Sequence, residues 1–313
     1  MAKKKSRNRK RKLKGLKALL ALALIICAAI ALKAIPGAWE FLSKYLPFIE
    51  EPRQITVPDG DMAVHFLDVG QGDCSLIVLP SGKTVLIDAS TNDEGDNIIE
   101  YLSYQKVKHI DYFVLTHPHA DHIGSAKQII EALSIGKVVM PDIETNTATF
   151  TNLLLAIDKK DIPIHVAKVG DIIKLDNANM KILGPVNKTD DLNNMSIVLR
   201  LDYGKTSFMF TGDAEEPSEK DMLEKFSSSE FRADVLKVGH HGASTSSSLE
   251  FITVISPKYA VISCGKDNTY GHPHTETIKT LNKLGIKYYR TDKVGNVVFS
   301  SDGEKVTLLR PTA

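Results

Sequence analysis

The sequence predicts an α/β (α+β) fold in which two sheets pack face to face and helices cover the outside. Short apolar strands alternate with amphipathic helices from residue 62 onward, and the alternation occurs in two halves of similar order. The chain has 313 residues, of which 43% are hydrophobic, so a sizeable buried core is available. One large mixed sheet would also satisfy the rules for packing layers.

The first half of the alternation begins at residue 62. Period-two patterns and turn residues predict strands at 62–69, 75–79, 84–87, 112–116, 137–140 and 162–166. Apolar residues at helical spacing predict helices at 97–104, from Ser125 and around 150–157. Gln128 follows Ser125 at the spacing of a capping box, in which side chains satisfy the free backbone N–H groups at a helix start.

The second half is richer in strands. The same patterns predict strands at 180–183, 196–202, 206–211, 234–238, 259–263, 296–300 and 305–309. Helices are predicted at 217–226 and 275–284. Residues 202–205, Asp-Tyr-Gly-Lys, indicate a tight turn between two of the strands.

The first 17 residues form a separate basic element. They contain ten Lys or Arg residues and no acidic residue, although the whole chain has 39 basic and 38 acidic side chains and a formal net charge of +1. The rest of the chain therefore carries 29 basic and 38 acidic side chains, a balance of −9. That balance does not favour non-specific nucleic-acid binding, which usually draws on a basic patch.

An apolar segment follows the basic tail and predicts a membrane anchor. Residues 18–32 are uncharged, and the flank up to Trp39 can extend them toward the length of about twenty residues that a spanning helix needs. A cleaved secretory signal is the alternative, because Ala29-Ile-Ala31 has the small-x-small form of such sites. In both cases the lysines stay in the cytosol, so we expect the body outside the cell, membrane-bound or secreted.

These features divide the chain into four parts. We predict a basic cytosolic tail at 1–17, a transmembrane signal anchor at 18–39, a linker at 40–60 and one folded domain at 61–313. The linker is indicated by Pro47, Pro52 and Pro58.

Residues 117–122 read His-Pro-His-Ala-Asp-His and are the strongest candidate site. They lie in a loop between a predicted buried strand and a helix. Neutral imidazole and carboxylate are ligands that zinc and manganese prefer. His117 and His119 can face one ion, whereas Asp121 and His122 can reach a second. We therefore predict two divalent metal ions, Zn²⁺ or Mn²⁺, while a solvated polar loop is the alternative.

Four motifs resemble the metallo-β-lactamase superfamily. They are Asp88 at a strand end, the His-x-His-x-Asp-His cluster at 117–122, Thr211-Gly-Asp213 and a late histidine, His272. The stretches 66–73, 236–242 and 268–273 are similar to the extracellular hydrolase domain of ComEC-type DNA-uptake proteins. The resemblance covers about residues 62–310. It implies a four-layer αββα sandwich with metals at the sheet edges, and hydrolysis of nucleic-acid phosphodiesters rather than DNA translocation.

The resemblance also implies roles for single residues. Asp213 becomes the carboxylate that bridges both ions, with a helix N-terminal cap as the alternative. His272 joins Asp121 and His122 at the second metal, with a loop histidine as the alternative. Asp88 is expected to accept the outer N–H of a ligand histidine and so fix the tautomer of that ring. A satisfied turn aspartate is the competing interpretation.

One stretch departs from the superfamily pattern. Asn193-Asn194-Met195-Ser196 stands where many members supply a third histidine to the first metal. Amide oxygen is a poor substitute for imidazole, so we expect the first ion to be weakly bound, completed by water or lost on dilution. The ComEC-type pattern also has asparagine here, so the change does not indicate inactivity.

The expected reaction is a two-metal hydrolysis in which a metal-bound hydroxide, oriented by Asp121, attacks phosphorus. His240 or His241 would donate a proton to the leaving oxygen or clamp the phosphate, with a structural turn as the alternative for the pair. Gly70 and Gly72 could approach a phosphate through backbone N–H groups or form a simple tight turn. Asn194 is a further candidate for substrate contact.

Three functions are compatible with these features. The first is a membrane-anchored, outward-facing phosphodiesterase or nuclease with nucleic acid or another phosphodiester as its substrate. The second is a hydrolase of a small ester, amide or lactam that uses the same centre. The third is a non-catalytic binding module in which the metal only stabilises the fold. The intact ligand set, Asp121 included, favours catalysis. The sequence indicates no protein partner.

Overall fold

The computed structural model describes residues 55–310. The predicted basic tail, the membrane anchor and the linker as far as residue 54 lie outside these residues. Within 55–310, no helix combines the length and the apolar character that crossing a bilayer requires.

Two sheets contain the strands of this region. The first sheet contains β1 (Met62–Phe66), β2 (Ser75–Val78), β3 (Thr84–Ile87), β4 (His109–Val114), β5 (Ser134–Met140), β6 (Ile164–Val166), β14 (Val297–Ser301) and β15 (Val306–Arg310). The second contains β7 (Ile172–Leu175), β8 (Ala178–Gly184), β9 (Val198–Tyr203), β10 (Thr206–Phe210), β11 (Val235–Lys237), β12 (Tyr259–Ile262) and β13 (Lys287–Arg290). Two sheets, and not one mixed sheet, therefore form the fold.

The strand orders place the ends of the parallel strands together. The eight-stranded sheet has the order β15-β14-β1-β2-β3-β4-β5-β6, and the seven-stranded sheet has β13-β12-β11-β10-β9-β8-β7. Strands β3 to β6 run parallel in the first sheet, as do β10 to β13 in the second. The carboxyl ends of parallel strands meet at one edge of a sheet, where loops carry functional side chains.

The helices lie outside the two sheets. They are α1 (Gly95–Tyr104), α2 (Ala120–Ile123), α3 (Ala126–Ala132), α4 (Ala148–Lys159), α5 (Glu216–Lys225), α6 (Leu249–Ile255), α7 (Thr275–Lys283) and α8 (Thr291–Val294). Apolar residues of α1, α3 and α4 pack with one face of the eight-stranded sheet. Those of α5, α6 and α7 pack with one face of the seven-stranded sheet.

The central core lies between the sheets and follows from period-two alternation along the strands. In β2, Leu76 packs with the outer helices, whereas its neighbour Ile77 faces the second sheet. Phe66 of β1 stacks on Phe210 of β10 across this interface, with ring centroids 5.7 Å apart. The residues that directly follow β1 and β10 are thereby held close together.

Most predicted elements are present, and three short ones were not predicted. The structure adds β7, α6 and β13. The predicted capping box at Ser125 is wrong, because the Ser125 hydroxyl donates to the carbonyl of Thr91 and makes no cap hydrogen bond. That contact ties the start of α3 to the loop after β3 instead.

Candidate metal centre

The ends of β4, β10 and β11 open onto one pocket of about 350 Å³. Its walls include Gln71, His119, Asp121, Asn193, Asp213, His240, His241, Tyr270 and His272. Residues separated by up to about 200 positions in the chain thus share one cavity, as the strand orders require.

The stretch 117–122 delivers its ligand-type side chains from one turn. His119 has an extended backbone (φ −73°, ψ 151°) and directly precedes α2, which carries Asp121 and His122. Nε2 of His117 lies 3.0 Å from Nδ1 of His119. The two imidazoles therefore converge, as predicted for the first metal, while Asp121 and His122 point to a different place in the pocket.

Asp88 lies directly behind His122. Its backbone is left-handed (φ 60°), and Oδ2 lies 2.8 Å from Nδ1 of His122. The Thr116 N–H donates to Oδ1 and the Thr116 hydroxyl to Oδ2, at 2.7 and 2.8 Å. Because Asp88 accepts the proton on Nδ1, Nε2 of His122 is free to act as a ligand. This is the position that the sequence predicted for Asp88.

His117 is oriented by hydroxyl groups. Nδ1 of His117 lies 3.2 Å from Oγ1 of Thr116 and 3.2 Å from Oγ of Ser196. Ser196 also accepts the backbone N–H of Asp213 at 3.0 Å. One serine from the loop before β9 thus positions a histidine of one sheet and a carboxylate of the other.

Asp213 lies between the two groups of side chains. Its Oδ2 atom is 3.1 Å from Nε2 of His122 and 3.8 Å from Nε2 of His117. The same oxygen is 3.7 Å from Nε2 of His240 and 3.7 Å from Nε2 of His241. Asp213 is only 1% exposed, so it faces this cluster and not solvent.

His240 and His241 occupy a turn with unusual backbone geometry. Both residues are left-handed, with φ of 48° and 54°. That conformation costs about 1–2 kcal/mol for each non-glycine residue. The strain aims both Nε2 atoms inward, because Nδ1 of His240 lies 3.1 Å from Glu215 and Nδ1 of His241 lies 3.1 Å from the carbonyl of Ser263.

A buried ion pair that the sequence did not reveal supports His241. Nζ of Lys237 lies 2.7 Å from Oδ2 of Asp73, and the two side chains are 2% and 6% exposed. Oδ1 of Asp73 is 3.4 Å from Nδ1 of His241. Asp73 belongs to the loop after β1 and Lys237 to β11, so the pair joins the two sheets beneath the site. Asp73 lies in a stretch that the resemblance singled out, but only the tertiary contact reveals this role.

The second group of potential ligands contains a residue different from the predicted one. Within residues 55–310, ligand atoms of Asp121, His122, Asp213 and His241 all lie within 4.8 Å of one another. Nε2 of His241 is 3.2 Å from Oδ2 of Asp121. His272 borders this group, with its ring centroid 6.1 Å from that of His241. His241, which was predicted to act in proton transfer, occupies the place expected for His272.

The predicted substrate-contact residues lie behind the pocket wall. The Asn194 side-chain oxygen accepts backbone N–H groups of Glu215 and Ser218 at the start of α5, whereas Asn193 lines the pocket. A Cβ on Gly72 would lie 2.6 Å from the Asp121 carbonyl, so this glycine allows a close backbone approach. Gly70 (φ 65°) adjoins Gln71, whose side chain reaches the pocket.

Two buried histidines are held in the charged form in this arrangement. Burial lowers the pKa of His122, but Asp213 and Asp88 outweigh burial and raise that pKa well above its usual value. Burial also lowers the pKa of His241, and Asp213 with Asp73 raises it to about 9. Burial raises the pKa of Asp213, yet His122 and His241 hold it well below its usual range. Positive charge is therefore stabilised around Asp213.

Other histidines of the pocket are held neutral. Burial lowers the pKa of His117 well below its usual value, and the charge of His122 adds to the effect. Burial, followed by the charges of His241 and His240, lowers the pKa of His272 to about 4. Neutral imidazole is the form that binds a metal.

Orphaned buried atoms show that the donor set fits divalent cations. Nε2 of His122, Oδ1 of Asp213 and Nδ1 of His272 are buried and have no hydrogen-bond partner among residues 55–310. Nε2 of His122 is 3.1 Å from Asp213 Oδ2 but is not directed for a hydrogen bond. Buried polar groups are ordinarily satisfied, and coordination to zinc or manganese would satisfy these nitrogen and oxygen atoms.

Comparison with known proteins agrees with this geometry. The model of the Metallo-beta-lactamase superfamily matches residues 67–266, which include the 117–122 stretch, Asp213 and the His240–His241 turn. The match confirms the superfamily that the motifs predicted.

Two characterised sequences and one solved structure are similar to this chain. ComE operon protein 3 of Bacillus subtilis (strain 168) is 32% identical over 254 residues, 75% of this chain and 32% of that protein. Competence protein ComA of Neisseria gonorrhoeae is 30% identical over 284 residues, 89% of this chain and 38% of that protein. The chain thus spans about a third of the length of these relatives. The matches confirm the similarity to ComEC-type proteins.

The structural comparison concerns the fold alone. The metallo-beta-lactamase fold protein YhfI from Bacillus subtilis superimposes with a TM-score of 0.53 at 11% sequence identity. The superposition covers 77% of this chain and 100% of that one. The mixed α/β architecture with two sheets is therefore shared despite low identity.

Proposed function

The chain belongs to the metallo-β-lactamase superfamily, and from this membership and the site geometry we propose that it is a metal-dependent hydrolase of nucleic-acid phosphodiesters. The observation that carries the proposal is the position of Asp213. Its Oδ2 atom lies within 3.8 Å of nitrogen atoms from His117, His122, His240 and His241. One carboxylate placed between two sets of ligands suits two neighbouring ions.

The residues divide into two ligand sets with Asp213 common to both. His117 and His119 would hold one ion, and Asp121, His122 and His241 would hold the other. Two divalent ions, zinc or manganese, would supply Lewis-acid stabilisation of phosphate charge and activate a water molecule. Asn193, whose buried side-chain oxygen has no hydrogen-bond partner among residues 55–310, faces the first set where a third histidine is lacking.

The side chains that are not needed as ligands have their own tasks. Nδ1 of His240 is fixed by Glu215, which also accepts the Thr245 hydroxyl at 2.6 Å, so Nε2 of His240 points into the pocket. We assign His240 as the proton donor to the leaving oxygen. Asp121 accepts from Nε2 of His241 at 3.2 Å when that ring is protonated, and it would orient the attacking water when the site is loaded.

Nucleic acid is the substrate class that the relatives favour. One relative is named as a competence protein and the other as a product of the ComE operon, and the similarity to both covers most of this chain. The body has an acidic balance of −9, but about four positive charges from two ions would attract a polyanion locally. We propose cleavage of DNA or RNA, with the metals as the main electrostatic attraction.

The N-terminal sequence supports a cell-surface location for this activity. We propose that residues 18–39 anchor the chain in the membrane and that the catalytic domain lies outside the cell. Protease added to intact cells should then remove the domain and leave a membrane-bound fragment. A domain that is degraded only after lysis would contradict the orientation.

A substrate panel tests the function. The full chain, loaded with Mn²⁺ or Zn²⁺, should cleave single-stranded or double-stranded oligonucleotides. Asp213→Ala should lose both metal and activity by more than the 100-fold typical of losing an outer hydrogen-bond partner. Asp158→Ala, which removes an exposed carboxylate of α4, is the matched control and should leave both unchanged.

Two outcomes would contradict the proposal. Bound metal without cleavage of DNA or RNA would exclude a nuclease. Turnover of a chromogenic lactam or a thioester under the same conditions would then favour a small-molecule hydrolase with the same centre.

A further inference from the structure

An exposed aromatic ring stands at the rim of the metal pocket. Tyr270 is 65% exposed, which is unusual for a large ring, and it lines the pocket beside Asp213 and His240. One face of the ring stacks against His272, with centroids 5.6 Å apart and planes inclined by 20°. The other parts of the ring remain available at the pocket mouth.

Hydrogen bonds of the surrounding loop fix the orientation of this ring. The Asn268 amide donates to the carbonyls of Gly265 and His272 at 2.8 and 2.7 Å, and its oxygen accepts the His272 N–H at 2.9 Å. One side chain therefore closes both ends of the loop that carries Tyr270. The loop is held before any substrate arrives, which lowers the entropic cost of binding.

A histidine beneath the loop fixes the backbone of Tyr270 itself. The Ser244 N–H donates to Nδ1 of His274 at 2.9 Å, so Nδ1 is an acceptor. Nε2 of neutral His274 therefore carries the proton and donates to the Tyr270 carbonyl at 3.2 Å. The tyrosine is thus positioned by two neighbouring side chains although its ring is exposed.

This inference rests on the proposed function and adds a substrate preference to it. We propose that Tyr270 is a stacking platform for a nucleobase next to the scissile phosphate, so the chain prefers single-stranded over double-stranded nucleic acid. Every base has a flat face that can stack on an aromatic side chain, whatever the sequence. In a duplex these faces are already stacked on each other, so the platform favours unpaired strands.

Abasic substrates separate base stacking from phosphate binding. Two single-stranded oligonucleotides with the same backbone are compared, one complete and one with abasic sites on both sides of the cleaved bond. Tyr270→Ala should lower kcat/KM on the complete strand about tenfold, mainly through KM. The abasic strand should be cleaved equally by the wild type and by Tyr270→Ala.

Two further variants control for loop damage and for general surface effects. Tyr270→Phe keeps the ring and should retain most of the activity on the complete strand. Leu155→Ala removes a side chain of similar exposure (61%) on α4 and should change neither substrate. An equal loss on both strands with Tyr270→Ala would overturn the platform, because the residue would then act on the loop or on His272 instead.

Binding without metal distinguishes failure of the platform from failure of the nuclease. In EDTA, fluorescence anisotropy should show tighter binding of the complete strand than of the abasic strand, and Tyr270→Ala should remove the difference. If no strand is cleaved but this difference persists, the platform stands and the proposed reaction falls. If the difference is absent in the wild type, the platform is overturned whether or not cleavage occurs.

Discussion

The two sides of the site are built in different ways. The eight-stranded sheet supplies its ligand-type side chains from six consecutive residues, 117–122, at the end of β4. The seven-stranded sheet supplies Asp213 from the end of β10 and His241 from the end of β11. Behind His241, Lys237 of the second sheet pairs with Asp73 of the first. One side is set by local chain geometry and the other by contact between the sheets.

This difference predicts unequal sensitivity to mutation. Nδ1 of His122 is held by Asp88, which precedes it by one strand and one helix of the same sheet. Nδ1 of His241 depends on Ser263 and on a carboxylate that crosses the sheet interface. Changes to the interface should therefore damage the second side first.

The largest expected effect on stability comes from the buried ion pair. Lys237→Met leaves Asp73 buried without its partner, and breaking such a pair costs about 3–5 kcal/mol. The double variant Lys237→Met/Asp73→Asn removes both charges and should recover most of that loss. Chemical denaturation of the metal-free chain measures both free energies of unfolding.

An exposed lysine of the same sheet gives the control. Lys174→Met on β7 should change the free energy of unfolding by no more than about 0.5 kcal/mol. If Lys237→Met were no more destabilising than Lys174→Met, the pair would contribute nothing and the proposed dependence on sheet contact would be wrong.

The locally built side could be predicted from the sequence, because its ligand types are consecutive. His117 and His119 converge as their spacing predicted, with nitrogens 3.0 Å apart. Asp88 lies behind His122, where a strand end placed it. In both cases the geometry is fixed within one loop or between neighbouring strands, so spacing carries the information.

The assembled side could be predicted only in part. Asp213 follows from its motif, but the choice between His241 and His272 depends on left-handed backbone at two consecutive residues and on Asp73 from the other sheet. No local pattern encodes either feature. The missed strands have the same cause: β13, Lys-Tyr-Tyr-Arg, is a polar edge strand that pairs with β12 only in the folded chain.

Paired histidine variants test which ring completes the second ligand set. His241→Ala should weaken binding of the second metal at least 100-fold, because it removes a nitrogen 3.2 Å from Asp121. His272→Ala should retain that metal, because its ring lies outside the closest group. Competition with a chelating dye measures both affinities. Loss of metal in His272→Ala with retention in His241→Ala would reverse the assignment.

A smaller loss is expected from the carboxylate behind the locally built side. Asp88→Asn keeps the shape but removes the charge that accepts from Nδ1 of His122, so metal affinity should fall 10–100-fold. Asp171→Asn is a matched control, because Asp171 makes a similar 2.8 Å contact with His165 outside the site. Equal metal affinity in both variants would show that Asp88 does not tune the metal.

The smallest expected effect is the pH dependence of the metal-free chain. The folded-state pKa of His241 is about 9, above the usual 6.5, so its stabilising contribution is complete below pH 6.5 and is lost as pH rises through about 9. Glu219, whose pKa burial raises to about 7, titrates mainly below pH 7.5. Between pH 7.5 and 9.5, the free energy of unfolding in EDTA should fall by about 1 kcal/mol. The decline should be shallower in His241→Gln, which cannot hold the proton, and saturating zinc should abolish it because the ion replaces that proton. A decline of equal size in wild type and His241→Gln would assign it to other groups and leave the two sides of the site electrostatically alike.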